Sequence, residues 1–320
     1  MPAPILTLLT DFGIEDAYVA QMKGQILSIL PTANLIDVSH SVAAQDIQAA
    51  GWLLAQSAPF FPADTLHIVV VDPGVGTDRR IIAVEIDTRT DDQSSAKRQR
   101  FVLPDNGLIS PLVNTFGVVA ATHVQDKRFW RSHPSSTFHG RDIIGPVAAH
   151  WANGTSRQEF GPGIDLLCLK MSAPSMNPLL DDSGRTEGQA PSHLTIAEQK
   201  EGPHQAAARP QRVEELVGRI DYIDHFGNLI TDIEKSIAVA FLLSNTTNMK
   251  FRVSMGGHDL RCPFVRTYAE KPMGTDVLLV GSHQFLEMAV VGGSAALRHS
   301  IRRGDEVRIS LADRILLASP

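Results

Sequence analysis

Leu66-His67-Ile68-Val69-Val70-Val71-Asp72-Pro73-Gly74-Val75-Gly76-Thr77-Asp78-Arg79-Arg80-Ile81-Ile82-Ala83-Val84-Glu85-Ile86 is the stretch on which the fold turns. Its first six residues are a short β-rich apolar run, and a glycine-rich loop follows. A phosphate-cradling loop would open a helix whose N-terminal amides meet the anion. Here a second strand pattern, Ile81 to Ile86, comes next, so the dinucleotide and P-loop readings fail on context. What remains is a tight loop between strands that can place Asp72 and the cationic Arg79 together.

Working outward, the pattern before residue 170 alternates β-rich runs with segments of helical period. Strands are expected at Ile5 to Thr10, Asn34 to Val38, Leu66 to Val71, Ile81 to Ile86, Phe101 to Leu103 and Val118 to Val124. Helices are expected at Asp16 to Leu30, stopped by Pro31, at Gln45 to Ala55, and at Ile143 to Trp151, ended by Asn153-Gly154. Residues 1–170 therefore read as an α/β domain with a largely parallel central sheet. Thr88 to Arg100 has a single apolar residue, Ala96, and reads as a solvated loop between strands. Residues 171–212 are polar and rich in proline, a linker or insertion. Residues 213–320 change to short strands (Val217 to Ile223, Lys250 to Ser254, Asp276 to Val280, Phe285 to Val291, Glu306 to Leu311) with turns at Met255-Gly256-Gly257 and Arg303-Gly304-Asp305. That region reads as a smaller all-β domain, barrel-like in form.

Composition narrows the partners. The 320 residues are 43% hydrophobic and 20% charged, with a net charge of −6. That is the wrong sign for a protein that neutralises phosphates without sequence preference, so nucleic acid is not an expected partner. No apolar run nears the ~18 residues needed to span a bilayer, and no basic-then-apolar leader opens the chain, so a membrane is not expected and a cytoplasmic location is. Cys168 and Cys262 have neither disulfide-framework nor metal-ligand spacing.

An aspartate follows each of three expected strands: Asp11, Asp72 and Asp105. In a parallel sheet these positions lie together at the carboxyl edge, where open α/β sheets bind ligands. Aspartates just beyond strands also serve as ordinary turn and cap residues. His139, in Phe138-His139-Gly140-Arg141-Asp142, sits between a loop and a helix start, with Asp142 read as the N-cap. A lone histidine is more often structural than catalytic. In the β domain, Asp224-His225-Phe226-Gly227-Asn228 ends a strand; a turn explains Gly227-Asn228. The functional alternative has Asp224 receiving a ligand ammonium and Asn228, both donor and acceptor, reading a base edge. Gly281-Ser282-His283-Gln284-Phe285-Leu286-Glu287 with Gly292-Gly293-Ser294 reads as a hairpin whose loop backbone can line a site.

Taken in order, Thr10-Asp11-Phe12-Gly13 with Tyr18 and Lys23-Gly24, Asp72-Pro73-Gly74-Val75-Gly76 with Arg79, Pro104-Asp105-Asn106-Gly107, Phe138 to Asp142, Asp224 to Asn228, and Gly281-Ser282 with Leu286-Glu287 resemble the S-adenosylmethionine hydroxide adenosyltransferases, relatives of the bacterial fluorinase and chlorinase. The resemblance runs through nearly the whole chain apart from the polar insertions. It implies a homotrimer whose sites lie between one subunit's N-terminal domain and its neighbour's C-terminal domain. It also implies that S-adenosylmethionine and water give adenosine and L-methionine, with no cofactor and no metal. Asp72, Arg79 and His139 would handle the water; the halogenases carry a hydroxyl-bearing aromatic where Asp72 stands. Asp11 would hold the ribose hydroxyls and Tyr18 would lie near the sugar. Asp224 and Ser282 would hold the methionine end, Phe226 would stack near the adenine and Asn228 would hydrogen-bond it. Glu287 and Gly293 complete the substrate-binding set. His283-Gln284 and Val291-Gly292-Gly293 depart from the family pattern. Halide transfer, a non-catalytic module that binds adenosine or S-adenosylmethionine, and a metal-dependent hydrolase built on Asp11, Asp72, His139 and Asp142 are the rival readings.

Overall fold

The computed structural model describes residues 2–89, 96–164, 194–195, 215–243 and 250–311. The chain forms two compact units, Met1–Ala173 and Pro174–Pro320. Most of the polar segment 171–212, residues 90–95 and Cys168 lie outside the described residues.

The first unit runs β1 (Ile5–Thr10), α1 (Tyr18–Ile29), β2 (Asn34–Ser39), α2 (Ile47–Ser57), β3 (Leu66–Val70), β4 (Ile81–Asp87), β5 (Arg98–Pro104), α3 (Ser110–Thr115), β6 (Gly117–His123) and α4 (Gly145–Ala152). The strands form one sheet in the order β2-β1-β3-β5-β4-β6. β2, β1, β3 and β5 are parallel, while β4 pairs antiparallel with both β5 and β6. Every residue of β3 is buried, which matches a sequence that is apolar apart from His67, as expected of a parallel strand covered on both faces. α1 lays Met22 and Ile26 into that core, and Leu30, outside helical geometry ahead of Pro31, ends it. α2 begins at Asp46, whose side chain accepts from Ala49 N, and packs closely enough that a Cβ on Gly51 would stand 2.6 Å from the Leu108 carbonyl oxygen.

Two local expectations change. β5 starts at Arg98, inside the stretch read as a solvated loop, because Gln99 is buried with its amide donating to the Ala58 and Phe61 carbonyls. A polar residue thus hides in a strand by finding backbone acceptors. The helix expected from Ile143 begins with a π-type turn at Gly140–Ile144, and the Asp142 side chain does not cap it.

The second unit contains β7 (Leu194–Thr195), β8 (Glu215–Ile223), β9 (Leu229–Glu234), α5 (Lys235–Leu243), β10 (Lys250–Met255), β11 (His258–Pro263), β12 (Asp276–Val280), β13 (Phe285–Val290), α6 (Ala295–His299) and β14 (Glu306–Leu311). The order β11-β10-β14-β8-β9-β13-β12 is antiparallel throughout, with β7 added on β8. Beyond β11, Val265 N donates to the Leu278 carbonyl of β12 at 2.8 Å, so the two ends of the sheet meet and the barrel nearly closes. Gly256-Gly257, at φ +51° and +79°, make the two-residue turn that joins β10 to β11. The expected β character holds, with the short helices α5 and α6 added. Cys262 is a free, buried thiol whose pKa burial pushes up to about 12. Among the described residues no helix is long and apolar enough to cross a membrane.

Candidate active site

Because β1, β3 and β5 are adjacent and parallel, Asp11, Asp72 and Asp105 leave the same edge of the first sheet. They do not play one part. Asp105 is buried and accepts from Arg80 Nε at 2.7 Å, so it turns into the fold as a counter-ion rather than rimming a cleft. Asp11 stays partly open, with Oδ2 accepting from Gln45 N at 2.8 Å across the β1 and α2 connections.

Asp72 sits at the head of the glycine-rich loop, and Arg79 returns to it from the far end. Arg79 Nε donates to Asp72 Oδ1 at 2.8 Å and Oδ2 at 2.9 Å, and Nη2 also contacts Oδ2. The loop closes tightly because Gly76 holds φ +78° and lies where a Cβ would be 2.4 Å from the Ser136 carbonyl oxygen. That approach brings the loop against the segment leading to His139. The same Arg79 Nη2 lies 2.9 Å from His139 Nδ1. A guanidinium can only donate, so Nδ1 accepts and the ring proton sits on Nε2. Burial, then the Arg79 charge, lowers the His139 pKa below the usual histidine value, so the ring is neutral at neutral pH. One guanidinium thus locks a carboxylate and an imidazole into a single array.

Asp142 stands behind this array. Its carboxylate is buried and accepts from Arg141 Nε at 2.6 Å and Ser135 N at 2.7 Å, tying the loop before His139 to the turn after it. Gly140 leaves space for Val70 and Phe12, which would lie 3.3 and 3.4 Å from an added Cβ. Beside His139, Phe12, Tyr18 and Phe138 form a ring cluster with centroids 5.3 to 6.0 Å apart. Phe12 and Phe138 fall outside the site residues expected from sequence; the signal for them is their place beside Asp11-Gly13 and His139-Gly140. Among the described residues no group of three or more His, Cys, Asp or Glu is arranged to hold a metal. Of the four donors named for a metal centre, three face arginines, Asp72 and His139 sharing Arg79 and Asp142 pairing with Arg141, while Asp11 accepts from Gln45 N.

The second unit has its own polar cluster. Asp224 folds the turn after β8: Oδ1 accepts from Phe226 N and Asn228 N, each at 2.9 Å, and Oδ2 accepts from Asn228 Nδ2 at 2.9 Å. Gly227, at φ +81°, packs so close to Ser294 that a Cβ would lie 2.0 Å from its Oγ. That contact sets Gly293 beside the turn, while Phe226 projects at 73% exposure. Glu287, on β13, is 2% exposed; the Tyr268 hydroxyl contacts Oε1 and His283 Nε2 lies 3.0 Å from Oε2. Burial, then Glu287, raises the Tyr268 pKa, so the phenol keeps its proton and donates it. Ser282 lies exposed at the β12–β13 hairpin tip. Asp11, Tyr18, Asp72, Arg79 and His139 therefore belong to the first unit, and Asp224, Phe226, Asn228, Ser282, Glu287 and Gly293 to the second.

An α/β unit with a carboxylate, guanidinium and imidazole interlocked at its strand edge, joined to a β-barrel unit with an exposed aromatic turn, defines a two-unit protein built for a small organic ligand. The chain belongs to the SAM hydroxide adenosyltransferase family: residues 6–161 match its N-terminal domain and residues 218–308 its C-terminal domain. It is 30% identical to the (R)-S-adenosyl-L-methionine hydrolase of Salinispora arenicola, over 96% of this chain and 98% of that protein. The fluorinase of Actinoplanes sp. is 26% identical over 98% of this chain and all of its own. Among solved structures, an uncharacterized conserved protein from Thermotoga maritima superposes with a TM-score of 0.76 at 28% identity, over 95% of this chain and 99% of its own.

Proposed function

We propose that this protein hydrolyses S-adenosyl-L-methionine to adenosine and L-methionine. The observation that carries the reading is the closed Asp72–Arg79–His139 array in a member of this family. The ligand's charge agrees with it: sulfonium and ammonium outweigh one carboxylate, and there is no phosphate for strand-edge acids to repel.

In the proposed step, water attacks the ribose 5′-carbon opposite the sulfonium. The new C–O bond forms as the C–S bond breaks, and sulfur takes the bonding pair and leaves as neutral methionine. No acid is needed on the leaving side, so the work is positioning the water and taking its proton. Positioning alone is worth ~7 to 11 kcal/mol in favourable cases. With Nδ1 committed to Arg79 and Nε2 protonated, His139 has no lone pair for that proton. A carboxylate has about four acceptor sites, so Asp72 retains capacity after binding Arg79 and is assigned the proton. Asp11 holds the ribose and Tyr18 flanks it. Asp224 and Ser282 take the methionine end, and Phe226, Asn228 and the Gly293 loop take the adenine. Glu287 serves from behind them. The chain is further proposed to work in the cytoplasm, without a cofactor, as a homotrimer that pairs the first unit of one subunit with the second unit of its neighbour. That assembly rests on the resemblance alone.

The test is chromatographic detection of adenosine and methionine from S-adenosylmethionine, with and without chelator, chloride and fluoride. Equal adenosine in every condition is expected. Asp72→Asn is expected to lower kcat by about 10²- to 10⁴-fold, the usual worth of a positioned proton acceptor, while adenosine still binds. Halogenated adenosine would instead assign halide transfer, and loss of activity with chelator would assign a metal.

A further inference from the structure

In the second unit, Asn228 sits in a connected polar cluster with Asp224, Tyr268 and Glu287. Asn228 is only 7% exposed, and its amide is held by what surrounds it. Nδ2 points at Asp224 Oδ2, 2.9 Å away, and more distantly at the Tyr268 hydroxyl oxygen, 3.5 Å away. A carboxylate only accepts. The Tyr268 hydroxyl spends its proton on Glu287 Oε1, so toward Asn228 it too only accepts. The opposite rotamer would set the Asn228 carbonyl oxygen against a carboxylate and a phenol oxygen, with no proton between them. The amide therefore cannot turn, and Oδ1, which receives no hydrogen bond among the described residues, is the atom left for a ligand.

We propose that Asp224, supported by Tyr268 and Glu287, is a positioning residue that locks Asn228 with its carbonyl outward, so that the unit accepts a 6-aminopurine and rejects a 6-oxopurine. The inference rests on the reading that this unit binds the adenosyl group. Adenine offers an N–H at C6 to that oxygen; hypoxanthine offers a carbonyl, and two acceptors face each other. A group left without its partner costs more than the made bond contributes, so discrimination exceeds the strength of one hydrogen bond.

The experiment is calorimetric titration of the full-length protein with adenosine and with inosine, for the wild type, Asp224→Asn and Tyr268→Phe. The nucleosides carry no ammonium, so a role of Asp224 toward methionine does not enter. Asp224→Asn keeps an oxygen for the Phe226 and Asn228 backbone amides and adds a donor that lets Asn228 turn. The wild type is expected to favour adenosine by tenfold or more, and Asp224→Asn to narrow that ratio roughly fivefold. Tyr268→Phe, which lacks the weaker contact, is expected to narrow it less. A merely structural role would weaken both nucleosides together and leave the ratio unmoved, and that result overturns the proposal, as does a wild type that binds both alike. Methionine release from S-adenosylmethionine by the wild type is measured alongside. Its presence with an unmoved ratio removes this inference alone; its absence, with neither nucleoside bound, removes the proposed function as well.

Discussion

Two histidines show how one residue type takes opposite parts. His139 is partly buried beside Arg79, and its lowered pKa keeps it neutral. Protonation would place a second cation against the guanidinium and break the array. Activity is therefore expected to be flat near neutrality and to fall on the acid side, with an apparent pKa below the ordinary histidine value of ~6.5. A kcat/KM profile checks this, and an acid limb above that value would contradict it. His67 is wholly inside the first unit, its Nδ1 2.7 Å from Thr7 Oγ1 and its ring stacked on Phe101 at 4.8 Å. Burial lowers its pKa to about 3. A depressed histidine costs nothing above the unfolded value near 6.5; below it the unfolded chain binds a proton that the folded chain refuses, and stability falls until about pH 3. The loss is on the order of 4 kcal/mol over that range. Urea unfolding at pH 7 and pH 4 should show a larger acid loss for the wild type than for His67→Gln. The sequence marked His139 by its setting and passed over His67, because inside an apolar strand nothing local distinguishes a buried ring from an exposed one.

The decisive element is the loop from Asp72 to Arg80. Its glycines were legible as a turn that is not a phosphate cradle, since a strand follows it. What the spacing could not supply was its partner: Gly76 is glycine because the loop touches Ser136, sixty positions along the chain. Gly76→Ala demands a positive φ and a Cβ inside that carbonyl's radius. It is expected to cost about 1 to 3 kcal/mol of stability and to lower kcat by loosening Arg79 from His139. Thermal unfolding and kinetics on the same sample decide the matter; a lower melting temperature with unchanged kcat would detach the loop from catalysis. Asp142 makes a similar point. It read as a helix cap, yet its carboxylate ties down the loop at Ser135, which only the folded chain brings near. The strand at Arg98 is hidden by Gln99, whose side-chain N–H groups find carbonyl acceptors in a distant turn.

Across the whole molecule, the proposed site residues divide between the two units, so neither unit alone holds a full set. If the site is completed between subunits, Asp72→Ala and Asp224→Ala chains refolded together should recover activity that neither has alone, because mixed assemblies contain sites carrying both intact halves. Absence of recovery would place each site within one chain. The amino-acid sequence by itself determined the alternation of strands and helices, the change to a β unit after the polar segment, the absence of a nucleotide-phosphate loop and the order of motifs that marks the family. Those are properties of local period and turn chemistry, carried by neighbours along the chain. Only the tertiary structure decided that Asp105 turns inward to Arg80, that Arg79 bridges Asp72 to His139 and that Asp224 orients Asn228. Each depends on which side chains meet across a loop or a sheet edge, and spacing along the chain says nothing about where a hydrogen bond points.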